Sequence, residues 1–275
     1  MKQFVHTRVL PTLRSAEELE KKFKKNILLG FPRSGNTAIR LFLEKYTHMP
    51  TGRPLIINGM SIGTDTNSSV LFSEIELAKC LDIGVVLTKI HKLWEIDLLK
   101  NDKIIYLLRD YHDCIPSILR FDNDIFAKWY VKRDKENFGF SCYADFVKVL
   151  IDFSYNYGEQ LKQFHFLPLN KMVIYYEDFV NNFEVEAKKL LEFLEIKVNI
   201  DKIKENNVVN VHGRKETDDH FNRIGKTDIQ INKGCTRFIG EYSGVLSGKE
   251  YEIVTSLFMN QLGEKLYTHY LGRYE

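Results

Sequence analysis

Residues 26–37 read Asn-Ile-Leu-Leu-Gly-Phe-Pro-Arg-Ser-Gly-Asn-Thr. The apolar run over 26–31 is cut off by Pro32 and Gly35, which is how a short buried parallel strand ends. Asn36–Tyr46 follows, with apolar residues at Ile39, Leu41, Phe42 and Leu43, and predicts a helix. Between them, Gly30 to Thr37 has the form of a G-x-x-x-x-G phosphate loop in the strand–turn–helix setting such a loop needs. Glycines let the chain curl so that successive N–H groups point inward, and the helix start adds its own free N–H groups and the positive end of its dipole. Arg33, Ser34, Gly35, Asn36, Thr37 and Ala38 are the candidate phosphate-binding residues, with Ser34 and Thr37 as hydroxyl donors. A nucleotide triphosphatase carries Lys after the second Gly, to reach the β- and γ-phosphates. Here that position is Asn36, and the cation of the loop is Arg33.

Working outward, the runs over 83–90 (with GVVLTKI), 103–108 (KIIYLL) and 171–176 (KMVIYY) predict three further strands. Helical patterns lie at 113–121, 144–164, 179–194 and 250–262, and a charged helix at 16–25. Strands alternating with helices imply an α/β fold with a mostly parallel, doubly wound sheet. Residues 50–70 and 198–247 are rich in Gly, Asn, Ser, Thr, Asp and Lys and are expected as loops. At 275 residues, one domain over 1–275 is expected. The net charge of +2 argues against a nucleic-acid binder, which would be strongly basic. Cys80, Cys114, Cys142 and Cys235 have no CxxC spacing, so they read as reduced thiols rather than zinc ligands. The first 25 residues hold no signal-peptide apolar core and no run approaches membrane-spanning length, so a cytoplasmic protein with no membrane span is expected.

FPRSGNT resembles the 5′-phosphosulfate loop of the sulfotransferases that use 3′-phosphoadenylyl sulfate (PAPS), and further motifs follow in that family's order. Lys89-Ile90-His91 is similar to the family's K-T-H element. Residues 103–120, KIIYLLRDYHDCIPSILR, resemble its 3′-phosphate element, with Arg109 and, eight residues on, Ser117. Tyr175-Tyr176-Glu177-Asp178 is similar to its YYED. Asn232-Lys233-Gly234, followed by Gly240-Glu241-Tyr242, looks like a degenerate RKG…GDW segment in which Asn232 stands where the family has Arg. The family's usual dimerisation motif is not found near Lys249.

The resemblance implies a P-loop NTPase-like sheet, PAPS as co-substrate and PAP as product. It also implies Arg109, Ser117, Tyr176, Lys233 and Gly234 at the nucleotide. An Arg fork with a nearby hydroxyl suits the 3′-phosphate that distinguishes PAPS from ATP. His91 would be the general base, Lys89 would sit beside the transferring sulfonate, and Arg33 would stabilise charge on the leaving phosphate. No metal is required. Glu95 is an alternative base. The acceptor would be a hydroxyl on a glycan or small molecule. Trp94, Phe121, Phe126, Trp129 and Tyr130 would either line its pocket or belong to the core. Two other functions remain open at this point: a small-molecule kinase or NTPase on the same loop, and a non-catalytic nucleotide-binding protein.

Overall fold

The computed structural model of the chain describes residues 26–31, 34–57, 60–65, 85–91, 93, 102–115, 140–208, 246 and 248–275. Six strands form one sheet: β1 (Asn26–Gly30), β2 (Thr51–Ile57), β3 (Met60–Asp65), β4 (Leu87–Ile90), β5 (Lys103–Leu108) and β6 (Asn170–Tyr175). Their order is β3-β2-β4-β1-β5-β6. The pairings β2–β4, β4–β1, β1–β5 and β5–β6 are parallel and only β2–β3 is antiparallel. The expected α/β fold with a mostly parallel sheet is therefore borne out.

The apolar runs of β1 and β5 reflect cover on both faces, and β4 is buried along its whole length although it carries Thr88 and Lys89. Alternate residues of β1, β4, β5 and β6 divide between two cores. Ile27, Leu29, Ile90, Ile104, Tyr106 and Leu108 face one core. It is closed by α2 (Phe140–Phe166), α6 (Gly248–Leu262) and α7 (Glu264–Tyr270). Leu28, Leu87, Ile105, Leu107 and Ile174 face the other. It is closed by α1 (Asn36–Thr47), α3 (Tyr176–Asn181), α4 (Phe183–Phe193) and α5 (Ile200–Glu205).

Several expectations are corrected. Residues 50–70 contain the antiparallel pair β2–β3, with Ile57 opposite Met60, and Thr51 and Gly52 extend the parallel sheet alongside β4. The polar composition hid it, although the sequence there includes Asn58-Gly59, the dipeptide that two-residue hairpins favour. The helix expected over 179–194 is two helices, α3 and α4, parted at Asn182, whose φ of −126° and ψ of 44° are not helical. Residues 200–205 are helical rather than loop, capped by the Asn199 side chain, which accepts from the Lys202 N–H. Beyond α6 the chain continues into α7 and a 3-10 turn (Gly272–Tyr274), with Gly263 at φ 74° making the break.

Candidate active site

The parallel register brings four strand exits to one edge of the sheet. Leu29 lies opposite Ile90, Gly30 opposite Leu107, and Leu108 opposite Tyr175. The next residues along each chain are Phe31, His91, Arg109 and Tyr176, so four motifs far apart in sequence leave the sheet side by side. β1 is also where the strand order reverses, β2 and β4 lying on one side and β5 and β6 on the other. Ligands of open α/β sheets bind outside the carboxyl ends of strands at such a point.

The phosphate loop is held from within. The Ser34 side chain is fully buried, and both its N–H (3.1 Å) and its hydroxyl (2.6 Å) donate to the Phe31 carbonyl. That hydroxyl therefore closes the turn. Gly35 caps α1 in the left-handed region (φ 95°, ψ 17°), and α1 has neither a side-chain cap nor an acidic residue in its first turn. The Ala38 N–H donates to the Gly35 carbonyl (3.0 Å), so the N–H groups before it and the dipole are what the turn offers an anion. Asn36 is buried, and its Oδ1 has no hydrogen-bond partner. Thr37 and Ala38 are half-buried in that first turn. The Phe31 ring packs edge-on to Phe153 at 4.7 Å and against Tyr157 at 5.0 Å, anchoring the loop to α2.

His91 stands half-buried beside this loop. Its Nδ1 is 2.7 Å from the Gly30 carbonyl, an obligate acceptor, so Nδ1 carries the proton and Nε2 presents a lone pair. The buried Lys89 ammonium donates to that Nε2. The backbone carbonyl of His91 accepts from the Gln160 amide on α2, and Gln160 Oε1 accepts from the Tyr106 hydroxyl at 2.9 Å. Gln160 lies mid-helix in an unremarkable stretch, and no sequence signal pointed to it.

Arg109 is 2% exposed, with its guanidinium 4.9 Å above the Tyr176 ring and 3.9 Å from Asp113. Burial works against its charge, but Cys114, Tyr176, Asp113 and Glu177 outweigh it, so its pKa rises and the cation persists. Tyr176 in turn lies against Gly35, where a Cβ would collide with its ring. Phosphate loop, Tyr176 and Arg109 are therefore one packed stack.

Next to it, Glu177 accepts from the Asp110 N–H (2.9 Å) and from the Tyr274 hydroxyl (2.8 Å). Burial raises the Glu177 pKa, against the pull of these donors. Cys114 is a free, buried thiol, pushed up to about 12 by burial, in keeping with the reduced state expected. Among the described residues no His, Cys, Asp and Glu cluster could hold a metal, and no helix is long and apolar enough to cross a membrane. Arg33, Glu95, Ser117, Asn232, Lys233 and Gly234 lie outside the described residues, as do Trp94, Phe121, Phe126, Trp129 and Tyr130.

Comparison with known proteins agrees with this fold. The family described as "Sulfotransferase domain" matches residues 24–228. A mouse sulfotransferase (SULT7A1) complexed with PAP superimposes with a TM-score of 0.59 at 16% identity, over 94% of each chain. Retinol dehydratase in complex with androsterone and PAP superimposes with a TM-score of 0.55 at 16% identity, over 87% of this chain and 81% of that one. At such identities the likeness is one of fold. No curated protein matches the chain.

Proposed function

The chain belongs to the sulfotransferase domain family, and from that premise we propose that it transfers a sulfuryl group from PAPS to a hydroxyl of a small-molecule or carbohydrate acceptor. The observation that carries the reading is His91, whose Nδ1 is fixed on the carbonyl of Gly30, the first residue of the phosphate loop. That bond leaves Nε2 as the basic nitrogen, beside the loop that would hold a nucleotide 5′-phosphate. The two solved relatives named above were crystallised with PAP, which supports PAPS as the co-substrate. One of them also holds androsterone, a small hydroxyl-bearing molecule. The residues fit such a nucleotide. The first turn of α1 is open to the phosphosulfate, and a permanently charged Arg109 lies on Tyr176 two strands from β4. Arg33, Ser117, Lys233 and Gly234 complete the proposed nucleotide contacts.

The transfer is in line, so positioning and charge stabilisation supply most of the catalysis. As the acceptor oxygen bonds to sulfur, its proton passes to His91 Nε2. The bond from sulfur to the 5′-phosphate oxygen breaks, and PAP leaves with the negative charge. Arg33 and the N–H groups of the α1 first turn stabilise that charge. Lys89 donates to His91 Nε2. A sulfonate is the better partner for an ammonium, so its arrival would draw Lys89 away and free the base. Residues 1–275 are taken as one domain, since α6 and α7, beyond the matched span, close the same core as β1, β4 and β5, and a cytoplasmic location is proposed with it. The test is PAP release from PAPS with phenolic and sugar acceptors, for wild type and His91→Asn. Loss of at least about a hundredfold in turnover would accord with a general base. Unchanged turnover would remove His91 from the role.

A further inference from the structure

Tyr274 lies far from the phosphate loop in sequence, yet it touches the 3′-phosphate side of the site through one intermediary. The peptide unit joining Arg109 to Asp110 is gripped at both ends. Its carbonyl accepts from the Tyr157 hydroxyl at 3.1 Å, and its N–H donates to Glu177 Oε1 at 2.9 Å. The other oxygen of Glu177 accepts from the Tyr274 hydroxyl at 2.8 Å. Tyr274 is itself held in place. Its carbonyl accepts from the Tyr251 hydroxyl at 2.9 Å. Its neighbour Arg273 makes a two-pronged bond to Asp178 (2.8 and 2.7 Å) while lying 4.2 Å over the Tyr175 ring. The 3-10 turn thus grips the YYED segment, and Glu177 relays that grip to the residue that carries the Arg109 side chain.

We infer that Tyr274 is a positioning residue, which through Glu177 orients the Arg109–Asp110 peptide and so holds Arg109 for the 3′-phosphate of the nucleotide; this rests on the sulfotransferase reading above. A carboxyl torsion is soft. Without the Tyr274 hydroxyl, one oxygen of a buried carboxylate loses its donor, and the group turns toward another at the expense of Asp110. The consequence is selective. AMP and PAP differ only in the 3′-phosphate, so the damage falls on PAP.

The experiment is calorimetric titration of wild type and Tyr274→Phe with PAP and with AMP, alongside thermal unfolding. Tyr274→Phe keeps the ring and is expected to weaken PAP binding by about tenfold, the scale of one lost support to a charged contact, with AMP affinity unchanged. If the variant keeps the wild-type ratio of PAP to AMP affinity, or loses both ligands equally, Tyr274 is structural only and the inference fails. Should Tyr274→Phe not fold, Glu177→Leu breaks the same link at similar volume and must show the same selective loss. A retained ratio there overturns the inference equally. A wild type that does not distinguish PAP from AMP would instead overturn the sulfotransferase reading itself, which separates the two failures.

Discussion

Gly35→Ala tests whether the phosphate loop and Tyr176 form a single packed unit. Two costs can be worked from the structure. Gly35 has φ 95°, a left-handed conformation that costs an L-residue about 1–2 kcal/mol. The added Cβ would also fall on the Tyr176 ring, inside the 3.0 Å that real Cβ contacts respect. The ring has nowhere to go, because it is 5% exposed and lies under the Arg109 guanidinium. Overpacking of this kind costs about 1–3 kcal/mol. Gly35→Ala should therefore destabilise the fold by about 2–5 kcal/mol in urea unfolding, the sum of those two ranges. Repeating the substitution in a Tyr176→Ala background separates the parts. With the ring gone only the backbone cost of about 1–2 kcal/mol remains, and the difference appears as a coupling energy. An unfolding free energy unchanged by Gly35→Ala, or an equal loss in both backgrounds, would refute the packing of Tyr176 on the loop.

Two further outcomes follow from the site's supports. Gln160→Leu takes the acceptor from the buried Tyr106 hydroxyl and the donor from the His91 carbonyl. Stability should fall by about 1–3 kcal/mol, and steady-state kinetics should show turnover reduced with PAP affinity kept. Arg273→Ala removes the pair with Asp178, whose partners are 39% and 33% exposed, so the loss at neutral pH should be below about 1 kcal/mol. Hydrogen bonds from Arg273 hold the Asp178 pKa below its usual 3.8. The contribution is thus complete above that value and disappears as pH falls through the lowered one. Urea midpoints of the two proteins should converge in acid and separate above about pH 4, where an ordinary carboxylate ionises.

Much of the sheet was legible because short apolar runs ended by Pro, Gly or a charged residue can do little except span a core covered on both faces. β1, β5 and β6 were read to within a residue or so. The site was legible for a related reason: parallel strands place all their exits on one edge, so Gly30, His91, Arg109 and Tyr176 had to meet once each was known to follow a strand. The antiparallel pair over 51–57 and 60–65 escaped because its Gly, Ser and Thr content outweighed the Asn58-Gly59 signal in the reading. Asn182 gave no warning as a helix break, since asparagine is tolerated within helices and only the local dihedrals reveal it. Gln160, Glu177 and Tyr274 act through contacts 69, 67 and 97 residues apart in the chain, a range no local pattern encodes.

The central claim is that this site recognises a 3′-phosphorylated adenine nucleotide rather than ATP, and calorimetric titration with PAP and with ATP plus magnesium tests it most directly. The account predicts that PAP binds in preference to ATP–magnesium and that Arg109→Ala weakens PAP by about tenfold to a hundredfold, the worth of one charge-assisted contact. Tighter binding of ATP–magnesium, with PAP affinity indifferent to Arg109, would contradict it and turn the phosphate loop over to a kinase or NTPase.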